Sequence, residues 1–299
     1  MKILYLGLPL GALTLLREGH QLVAACISRP AMPGMRRLRR LLAKTSAPLL
    51  GRPDLTQPAV RALLASTDPE LVVSWFWTRR VPATVLALAQ HGGVNVHPSL
   101  LPRHRGADPY FWTILEGDAE TGVTAHWMTP QYDEGDILAQ RRVPVPEGVS
   151  AGQLARALDR PTLLMLCDVV GAIERGEVEA HPQNHTFASA APRPSDDDCE
   201  LVWDAPVDAV LRRIRAAAPD PGAFTGFGDD TVVILRARRA AQRLRGLDAG
   251  DVVRTPEGVV VVCRDGAVLV LEAQREADGK RFCGVEVAEL FPGVATVGA

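Results

Sequence analysis

The sequence lacks the features that mark several common protein classes. Its five cysteines are odd in number and form no Cys-x-x-Cys pair, which argues against a zinc site and against a disulfide framework. Opposite charges nearly balance over the 299 residues, and the formal net charge of −2 gives no field that favours nucleic acid. With 47% hydrophobic and 23% charged residues, the composition predicts an ordinary globular protein from a reducing compartment.

The sequence also has no apolar run near the roughly 20 residues that are needed to cross a bilayer. The first residues, Lys2 followed by ILYLGLPLGALTLL, are similar to a secretory signal. However, Arg17, Glu18 and His20 interrupt the apolar region, which favours a first strand, a turn and a helix instead. We therefore expect a cytoplasmic protein that has no membrane partner.

A dinucleotide-binding fingerprint is incomplete. Gly7 and Gly11 follow the first predicted strand, but there is no third glycine, and Ser28 and Arg29 stand where an acidic residue would bind a ribose. The strand–helix–strand spacing at the start of the chain nevertheless predicts a doubly wound sheet. The expected fold of the amino-terminal part is α/β, with a Rossmann-like, mostly parallel sheet.

A change of composition divides the chain. Residues 188–198 (ASAAPRPSDDD) are small, acidic and rich in proline, which is typical of a linker. The segments that follow are a helix over 209–217, a turn over 219–226, and β runs over 231–239, 251–263 and 267–274. They predict a small, OB-like β-barrel. We predict a catalytic domain over 1–187, a linker over 188–198 and a C-terminal β-barrel-like domain over 199–299.

Basic residues concentrate in one amphipathic segment, 35–44 (MRRLRRLLAK). One interpretation is a solvated surface helix. The other is contact with an anionic partner, either a substrate phosphate or a nucleic-acid backbone. Aromatic residues concentrate at the end of the strand predicted over 71–77, where they either belong to the core or form the wall of a pocket for a flat heterocycle.

The most informative stretch, residues 92–140, contains three polar groups with complementary chemistry. Asn95 and His97 are two residues apart in a short strand that Pro98 ends, so both side chains share a face at its carboxyl end, where open α/β sheets bind ligands. An amide and a protonated imidazole can both donate hydrogen bonds to a developing oxyanion. The carboxylate of Asp133, in the turn QYDEGD, could orient the imidazole, raise its pKa and accept a proton from a nucleophile.

Neither a covalent nucleophile nor a metal motif accompanies these three groups. Ser99 is nearby but lacks the strained Gly-x-Ser-x-Gly elbow. The stretch offers four conceivable metal ligands, which are His97, His104, Asp108 and Asp133. Their spacing matches no metal motif. His126 is interpreted as a structural or peripheral residue rather than as the base. The pattern favours direct acyl transfer through a tetrahedral intermediate, without a metal.

Four motifs in this stretch resemble a known family. They are NVHPSLLP at 95–102, RG at 105–106, TGVT at 121–124 and DEGDI at 133–137. They look like the motifs of the formyltransferases that use 10-formyltetrahydrofolate, whose members act on methionyl-tRNA, glycinamide ribonucleotide or amino sugars. The resemblance extends to the C-terminal domain, where AAAPDPGAF at 216–224 is similar to the NPWPGA segment of the tRNA enzymes.

The resemblance implies roles for individual residues. Asn95 and His97 would stabilise the oxyanion that forms when an amine attacks the formyl carbon, and Asp133 would pair with His97 and help to remove the proton of the amine. The implied cosubstrate is 10-formyltetrahydrofolate. Its expected binding residues are Trp75, Trp77, Arg79, Val81, Met128, Tyr132 and Gly135. The expected substrate residues are Gly7, Pro9, Arg105, Asp108 and Tyr110.

Departures from the family pattern bear on the acceptor. Glu134 stands where the family often has threonine, and Asp108 stands where the tRNA enzymes usually have alanine. From Glu200 onward the chain has 13 Arg or Lys against 15 Asp or Glu, so no basic footprint is present there. These features favour a small-molecule amine as acceptor, such as an amino sugar, an amino acid or a natural-product precursor. The alternatives are methionyl-tRNA formyl transfer, hydrolysis of 10-formyltetrahydrofolate and folate binding without catalysis.

Overall fold

A computed structural model of the protein describes residues 1–228, 230–241, 244 and 246–294. The chain divides into two compact units. The first unit is made of Met1–Pro109, Glu120–Pro144 and Ala157–Pro192, and the second of Tyr110–Ala119, Val145–Arg156 and the residues from Arg193 onward. The sequence pattern did not indicate that Tyr110–Ala119 and Val145–Arg156 group with the second unit. The proposed domain limits at 187 and 199 remain a prediction.

The first unit is built on one mixed sheet, which has a parallel region and an antiparallel region. Its strands are β1 Lys2–Gly7, β2 Gln21–Ile27, β3 Leu49–Gly51, β4 Leu71–Trp75, β5 Gly93–His97, β6 Glu120–Trp127 and β7 Ile137–Pro144. The strand order is β3-β2-β1-β4-β5-β6-β7. The strands from β3 to β5 pair in parallel, whereas β6 and β7 pair in antiparallel fashion. The parallel strands are apolar along most of their length because they are buried on both faces.

Helices connect these strands. They are α1 Pro9–Arg17, α2 Met35–Leu42, α3 Pro58–Ala65, α4 Ala83–Leu86, α5 Pro109–Glu116 and α6 Ala151–Arg175. Proline stands at the first turn of α1 and α3, where its missing N–H would have no partner in any case. The sequence pattern predicts helices over 58–65, 81–90 and 151–175. The first and third agree with α3 and α6, but α4 is much shorter than the second. Strand β3 was not predicted, because three residues give no periodic signal.

The second unit carries an antiparallel sheet. Its further elements are α7 Asp196–Cys199, α8 Val207–Ala217, β8 Ala223–Phe227, β9 Asp230–Arg239, β10 Val252–Thr255, β11 Gly258–Cys263, β12 Gly266–Arg275 and β13 Arg281–Cys283. The order is β10-β11-β12-β9-β8, and β13 pairs with β12. The single β run expected over 251–263 is a hairpin of two strands. The turn expected over 219–226 is wrong in its second half, where β8 begins.

The prediction of an α/β fold, with a Rossmann-like sheet followed by a small β domain, is confirmed. Among the residues that the structure describes, no helix has both the length and the apolar character that a transmembrane span requires. The carboxyl ends of β1, β2, β4 and β5 lie along one edge of the first sheet, because these strands run parallel. The predicted polar residues are at that edge.

Candidate active site

Asn95 and His97 are presented by the last residues of β5. Because side chains alternate along a strand, the two lie on the same face, as the sequence predicted. His97 is buried, whereas Asn95 is only half-buried. On one side of β5 lies the parallel strand β4, and on the other lies the antiparallel strand β6, whose His126 is directly opposite Asn95 in the register. The strand end therefore brings an amide and two imidazoles together.

Asp133 completes this cluster from the loop between β6 and β7. Its backbone is left-handed, with φ of 54°, and its side chain is buried. The Oδ2 atom lies 3.5 Å from Nδ1 of His97 and accepts a hydrogen bond of 2.9 Å from the Gly106 N–H. The Oδ1 atom lies 3.4 Å from Nδ2 of Asn95 and 3.3 Å from Nε2 of His126. One buried carboxylate thus contacts all the other polar groups of the site.

The electrostatics of the pair formed by His97 and Asp133 follow from this burial. Burial lowers the pKa of His97 and outweighs the opposite effect of the Asp133 charge. Burial would raise the pKa of Asp133, but the charge of His97 and the hydrogen bonds from His126 and Gly106 together hold this pKa well below its usual range. Asp133 is therefore ionised at neutral pH, and a proton that reaches His97 is stabilised by the adjacent carboxylate.

Both nitrogens of His97 are in contact with the protein. Nε2 lies 2.8 Å from the carbonyl oxygen of His104, which can only accept, so Nε2 carries a proton that it donates to this carbonyl. Nδ1 faces Asp133. A neutral His97 therefore has its free lone pair on Nδ1, on the side of the carboxylate. This tautomer is suited to accepting a proton at Nδ1.

His126 was interpreted as structural or peripheral rather than as the base, and its position in the structure is not peripheral. This side chain is buried within the cluster. Its Nδ1 donates to the carbonyl oxygen of Trp127 at 2.8 Å, which turns Nε2 toward Asn95 at 3.2 Å and toward Asp133. A neutral His126 accepts from the Asn95 amide, and a protonated one donates to Asp133. The antiparallel register that places His126 opposite Asn95 is the signal that could have identified it.

Gly106 holds the Asp133 carboxylate with its backbone N–H. Its φ of 128° is unfavourable for other residues, and a Cβ atom at this position would lie 2.6 Å from the carbonyl oxygen of Ala191. The backbone of residues 105–106 therefore passes close to residues 190–191, with which it forms a parallel bridge at Arg105 and Ala190. A glycine is needed here to bring the N–H to within hydrogen-bond distance of Asp133.

The expected folate residues fall into two groups, and the first is apolar. Trp77, Val81 and Met128 belong to or pack against one hydrophobic cluster beside the carboxyl end of β4. Trp75 differs from the expectation, because its ring is buried beside Gly11 under α1 and thus serves as core. The indole N–H groups of Trp75 and Trp77 are both buried and have no hydrogen-bond partner in the part of the chain that the structure describes.

The second group of expected folate residues consists of two exposed side chains and one glycine. Arg79 is exposed and donates to the carbonyl oxygen of Arg52 at 3.4 Å. Tyr132 is 55% exposed, and the guanidinium of Arg80 lies 5.8 Å from the centroid of its ring. At Gly135 a Cβ atom would lie 1.8 Å from the carbonyl oxygen of Trp127, so no side chain fits there.

Most of the expected substrate residues have structural partners. A Cβ atom on Gly7 would lie 1.9 Å from the carbonyl oxygen of Trp75, and Pro9 is buried at the start of α1. The Asp108 N–H donates to the carbonyl oxygen of Ala191. Tyr110 lies in α5 and is grouped with the second unit. The roles of these residues toward a substrate stay predictions.

The side chain of Arg105 makes its contacts within the protein. It was expected to bind substrate, but the Oε1 atom of Gln183 accepts hydrogen bonds from its Nε at 3.1 Å and its Nη2 at 2.6 Å. The remaining nitrogen, Nη1, lies 3.5 Å from Glu134 and 3.3 Å from Nδ1 of His185. The side chain is only 10% exposed. Its guanidinium therefore joins segments of the protein, and its expected role toward a substrate stays a prediction.

The absence of a covalent nucleophile is consistent with the surroundings of the candidate side chains. Ser99 is fully buried, and its hydroxyl donates to the carbonyl oxygen of Arg103 at 2.7 Å. Burial raises the pKa of Cys26 to about 12, so this thiol remains protonated and unreactive at neutral pH. The buried polar cluster is therefore suited to proton transfer and hydrogen bonding at a reacting carbonyl group.

Comparisons with known proteins agree with this chemistry. Residues 17–170 match the family model described as formyl transferase, and residues 194–286 match the model for the formyl transferase C-terminal domain. The chain belongs to the formyltransferase family. It is 33% identical over 288 residues to the methionyl-tRNA formyltransferase of Syntrophus aciditrophicus, with 92% of each chain covered. It is 35% identical over 290 residues to that of Anaeromyxobacter dehalogenans, with 92% and 93% covered.

Solved structures share the fold of this formyltransferase. HypX from Aquifex aeolicus in complex with tetrahydrofolic acid superposes with a TM-score of 0.66 at 20% identity, covering all of this chain. The formyltransferase spans about half the length of HypX. The N-formyltransferase from Helicobacter canadensis, in complex with folinic acid and dTDP-3-aminofucose, gives a TM-score of 0.65 at 14% identity, with 92% of this chain and 99% of that chain covered.

Membership of the family establishes the class of reaction. The protein is an enzyme that transfers formyl groups, and the family depends on a formylated tetrahydrofolate. The resemblance found in the sequence motifs is thereby confirmed, both for the catalytic part and for the C-terminal part. The acceptor of the formyl group is a separate question, which membership of the family does not answer.

Proposed function

We propose that this enzyme transfers the formyl group of 10-formyltetrahydrofolate to the α-amine of methionyl-tRNA. The observation that carries the proposal is the similarity to methionyl-tRNA formyltransferases, which extends over 92% of the chain and so includes both family domains. The sequence pattern alone favoured a small-molecule amine. The relatives support the alternative better, since several are 31–35% identical over more than nine-tenths of the chain.

The exposed arginines of the first unit support an anionic acceptor. Helix α2 buries Leu38 and Leu42 and exposes the arginines on its other faces. These are Arg36, Arg37, Arg39 and Arg40. Further exposed arginines follow the carboxyl ends of three parallel strands, at Arg29 after β2, Arg52 after β3, and Arg79 and Arg80 after β4. Asn95 and His97 are at the same edge of the sheet. A phosphate backbone could contact these charges while its aminoacyl end enters the site.

The apolar cluster beside β4 fits the folate donor. Trp77, Val81 and Met128 provide flat and apolar contact area. These three residues would hold the pterin ring of 10-formyltetrahydrofolate. The bound donor supplies an activated formyl carbon, and the protein supplies the groups that handle charge and protons.

The proton of the attacking amine is accepted by the pair formed by His97 and Asp133. The new bond joins the amine nitrogen to the formyl carbon, and the bond from that carbon to the folate nitrogen breaks. The amine loses one proton, and the folate nitrogen gains one. His97 can accept the proton at Nδ1, because Asp133 lies 3.5 Å away and stabilises the imidazolium that results. The same proton is then available to the leaving nitrogen.

Charge that develops on the formyl oxygen needs a hydrogen-bond donor, and Asn95 is the most accessible one. It is half-buried, whereas His97 and Asp133 are buried. Its Nδ2 lies 3.2 Å from His126 and 3.4 Å from Asp133, which orients the amide, and a formyl oxygen that accepts from Asn95 would replace one of these two contacts.

A small-molecule amine is the second candidate acceptor. It is favoured by Asp108 in place of the alanine usual in the tRNA enzymes, and by the charge of −2 from Glu200 onward. Such a substrate would need fewer positive charges than tRNA. Amino sugars that carry a nucleoside diphosphate would also fit the exposed arginines, since they are anionic as well.

An acceptor competition distinguishes the two candidates. The enzyme is given 10-formyltetrahydrofolate with equimolar methionyl-tRNA, free methionine and a nucleoside-diphosphate amino sugar, and each product is quantified by mass spectrometry. We expect formylated methionyl-tRNA to dominate and its formation to slow steeply between 50 and about 200 mM salt. Formylation of the amino sugar alone would contradict the proposed acceptor. Release of formate without any amine would indicate hydrolysis.

A further inference from the structure

Gln183 is a buried amide that lies in contact with the loop of Asp133. It follows the antiparallel bridge between Ile137 and His181, and this register places it opposite Gly135. Its side chain is 5% exposed. It lies 50 residues from Asp133 in the sequence, so no local motif indicates its proximity to the site.

All the hydrogen-bonding capacity of the Gln183 side chain is used. Nε2 donates to the carbonyl oxygens of Asp133 at 2.8 Å and of Gly135 at 2.7 Å. Oε1 accepts two hydrogen bonds from the guanidinium of Arg105. The orientation of the amide is unambiguous, since only its NH₂ group can face two carbonyls and only its oxygen can face two N–H donors.

The two segments that Gln183 joins are the same two that hold the carboxylate. On one side is the left-handed backbone of Asp133, a conformation that needs support from its surroundings. On the other side is Arg105, whose neighbour Gly106 donates its N–H to Oδ2 of Asp133. Arg105 is itself fixed, because its N–H donates to Ser189 and its carbonyl accepts from Ala191.

We propose that Gln183 is a positioning residue for catalysis, which holds Asp133 at the distance from His97 that the proton transfer requires. Its amide links the cation of Arg105 to the carbonyls on both sides of Glu134, so it fixes the loop without contacting substrate. The inference rests on the role proposed for Asp133 above. Loss of the four hydrogen bonds would let the loop and its carboxylate shift relative to His97.

The test uses Gln183→Met, which keeps the length of the side chain and removes its hydrogen bonds. The matched control is Gln140→Met, because the Nε2 of Gln140 also makes two hydrogen bonds, at 2.9 Å to the carbonyl of Leu101 and 2.9 Å to the hydroxyl of Thr124, without contacting Asp133. We expect kcat to fall by about 10- to 100-fold in Gln183→Met, with the KM for the acceptor nearly unchanged. The control should retain most of its turnover.

A second readout does not depend on the acceptor. The His97 ring is titrated by NMR, with its signal assigned from a His97→Asn variant. Because the Asp133 charge raises the pKa of His97, a displaced carboxylate should lower this pKa further in Gln183→Met and leave it unchanged in Gln140→Met. A Gln183→Met protein with wild-type turnover, or with reduced turnover and an unchanged His97 titration, would overturn the inference.

A third variant covers the case in which Gln183→Met does not fold. In Gln183→Glu one carboxylate oxygen still accepts from Arg105, while the other faces the two carbonyls and repels them. We expect a folded protein with reduced kcat, and a wild-type kcat would overturn the inference. Asp133→Asn is assayed in parallel: if it is fully active, the proposed role of Asp133 fails independently of Gln183.

Discussion

Asp133 is the residue through which the polar groups of the site are connected. One oxygen faces His97 and Gly106, and the other faces Asn95 and His126. The sequence predicted Asn95, His97 and Asp133 as the polar groups of the site, because a strand end and a turn can be recognised from local sequence alone. It did not indicate Gln183 or the contacts of His126 and Arg105 with the loop of Asp133, because these depend on partners that are distant in the sequence.

The pH dependence of turnover should report the pair formed by His97 and Asp133. His97 must be neutral to accept a proton, so kcat/KM should fall as the pH falls through its pKa, which burial places below the usual value of about 6.5. In Asp133→Asn the carboxylate that raises this pKa is absent, and the acid limb should move to still lower pH. A profile of kcat/KM between pH 5 and about 8 checks this. An acid limb that moves to higher pH would refute the assignment.

Gly106→Ala should lower turnover without a change of any side chain in the cluster. The new Cβ would lie 2.6 Å from the carbonyl oxygen of Ala191, so the backbone must shift and withdraw its N–H from Asp133. We expect kcat to fall by about tenfold or more. Gly226→Ala is the control, since no atom lies within 4 Å of a Cβ there and its turnover should be normal. Equal turnover in both variants would show that the Gly106 N–H is dispensable.

At the scale of elements, the strands that follow a local apolar pattern agree with prediction. The runs that form β1, β2 and β4 are continuous and apolar, and the structure buries them. Strand β8 was missed because its local composition points to another structure. Strand β8 lies in a segment with two prolines and two glycines, whose composition indicates a turn, and its pairing with β9 decides its conformation instead.

Helix α2 yields a test of the proposed tRNA interface. Arg36 and Arg40 are exposed one turn apart, and their joint replacement by alanine should raise the KM for methionyl-tRNA by about tenfold with little change in kcat. The matched control is the joint replacement of Arg156 and Arg160 by alanine, an exposed pair with the same spacing on α6. KM values are compared at low and high salt. Equal effects of the two double variants would argue against a specific role for α2.

At the scale of the whole molecule, the two family domains correspond only approximately to the two compact units. The family models match residues 17–170 and 194–286, whereas the second unit also takes in Tyr110–Ala119 and Val145–Arg156. Within the second unit, the N–H of Gly152 donates a hydrogen bond to the carbonyl oxygen of Ala218. The Nε of Arg212 donates one to the carbonyl oxygen of Leu115. Sequence composition predicted a linker over 188–198, but it could not reveal these long-range contacts.

The stability of the whole chain should decrease in mild acid. Burial lowers the pKa of His20 and His97 in the folded protein, so the folded state binds fewer protons than the unfolded state below pH about 6.5. The free energy of unfolding should therefore be largest above this pH and fall as the pH is lowered. His20→Gln should reduce the slope between pH 7 and about 5 in urea titrations. An identical slope in the variant would show that His20 does not contribute.

The most direct test of the account is the rate of formyl transfer from 10-formyltetrahydrofolate to methionyl-tRNA by the wild type and by Asp133→Asn. The wild type should produce formylmethionyl-tRNA, and the variant should be slower by about 10² or more in kcat, with similar KM values and the thermal stability of a folded protein. A folded Asp133→Asn enzyme that transfers the formyl group at the wild-type rate would contradict the proposed mechanism.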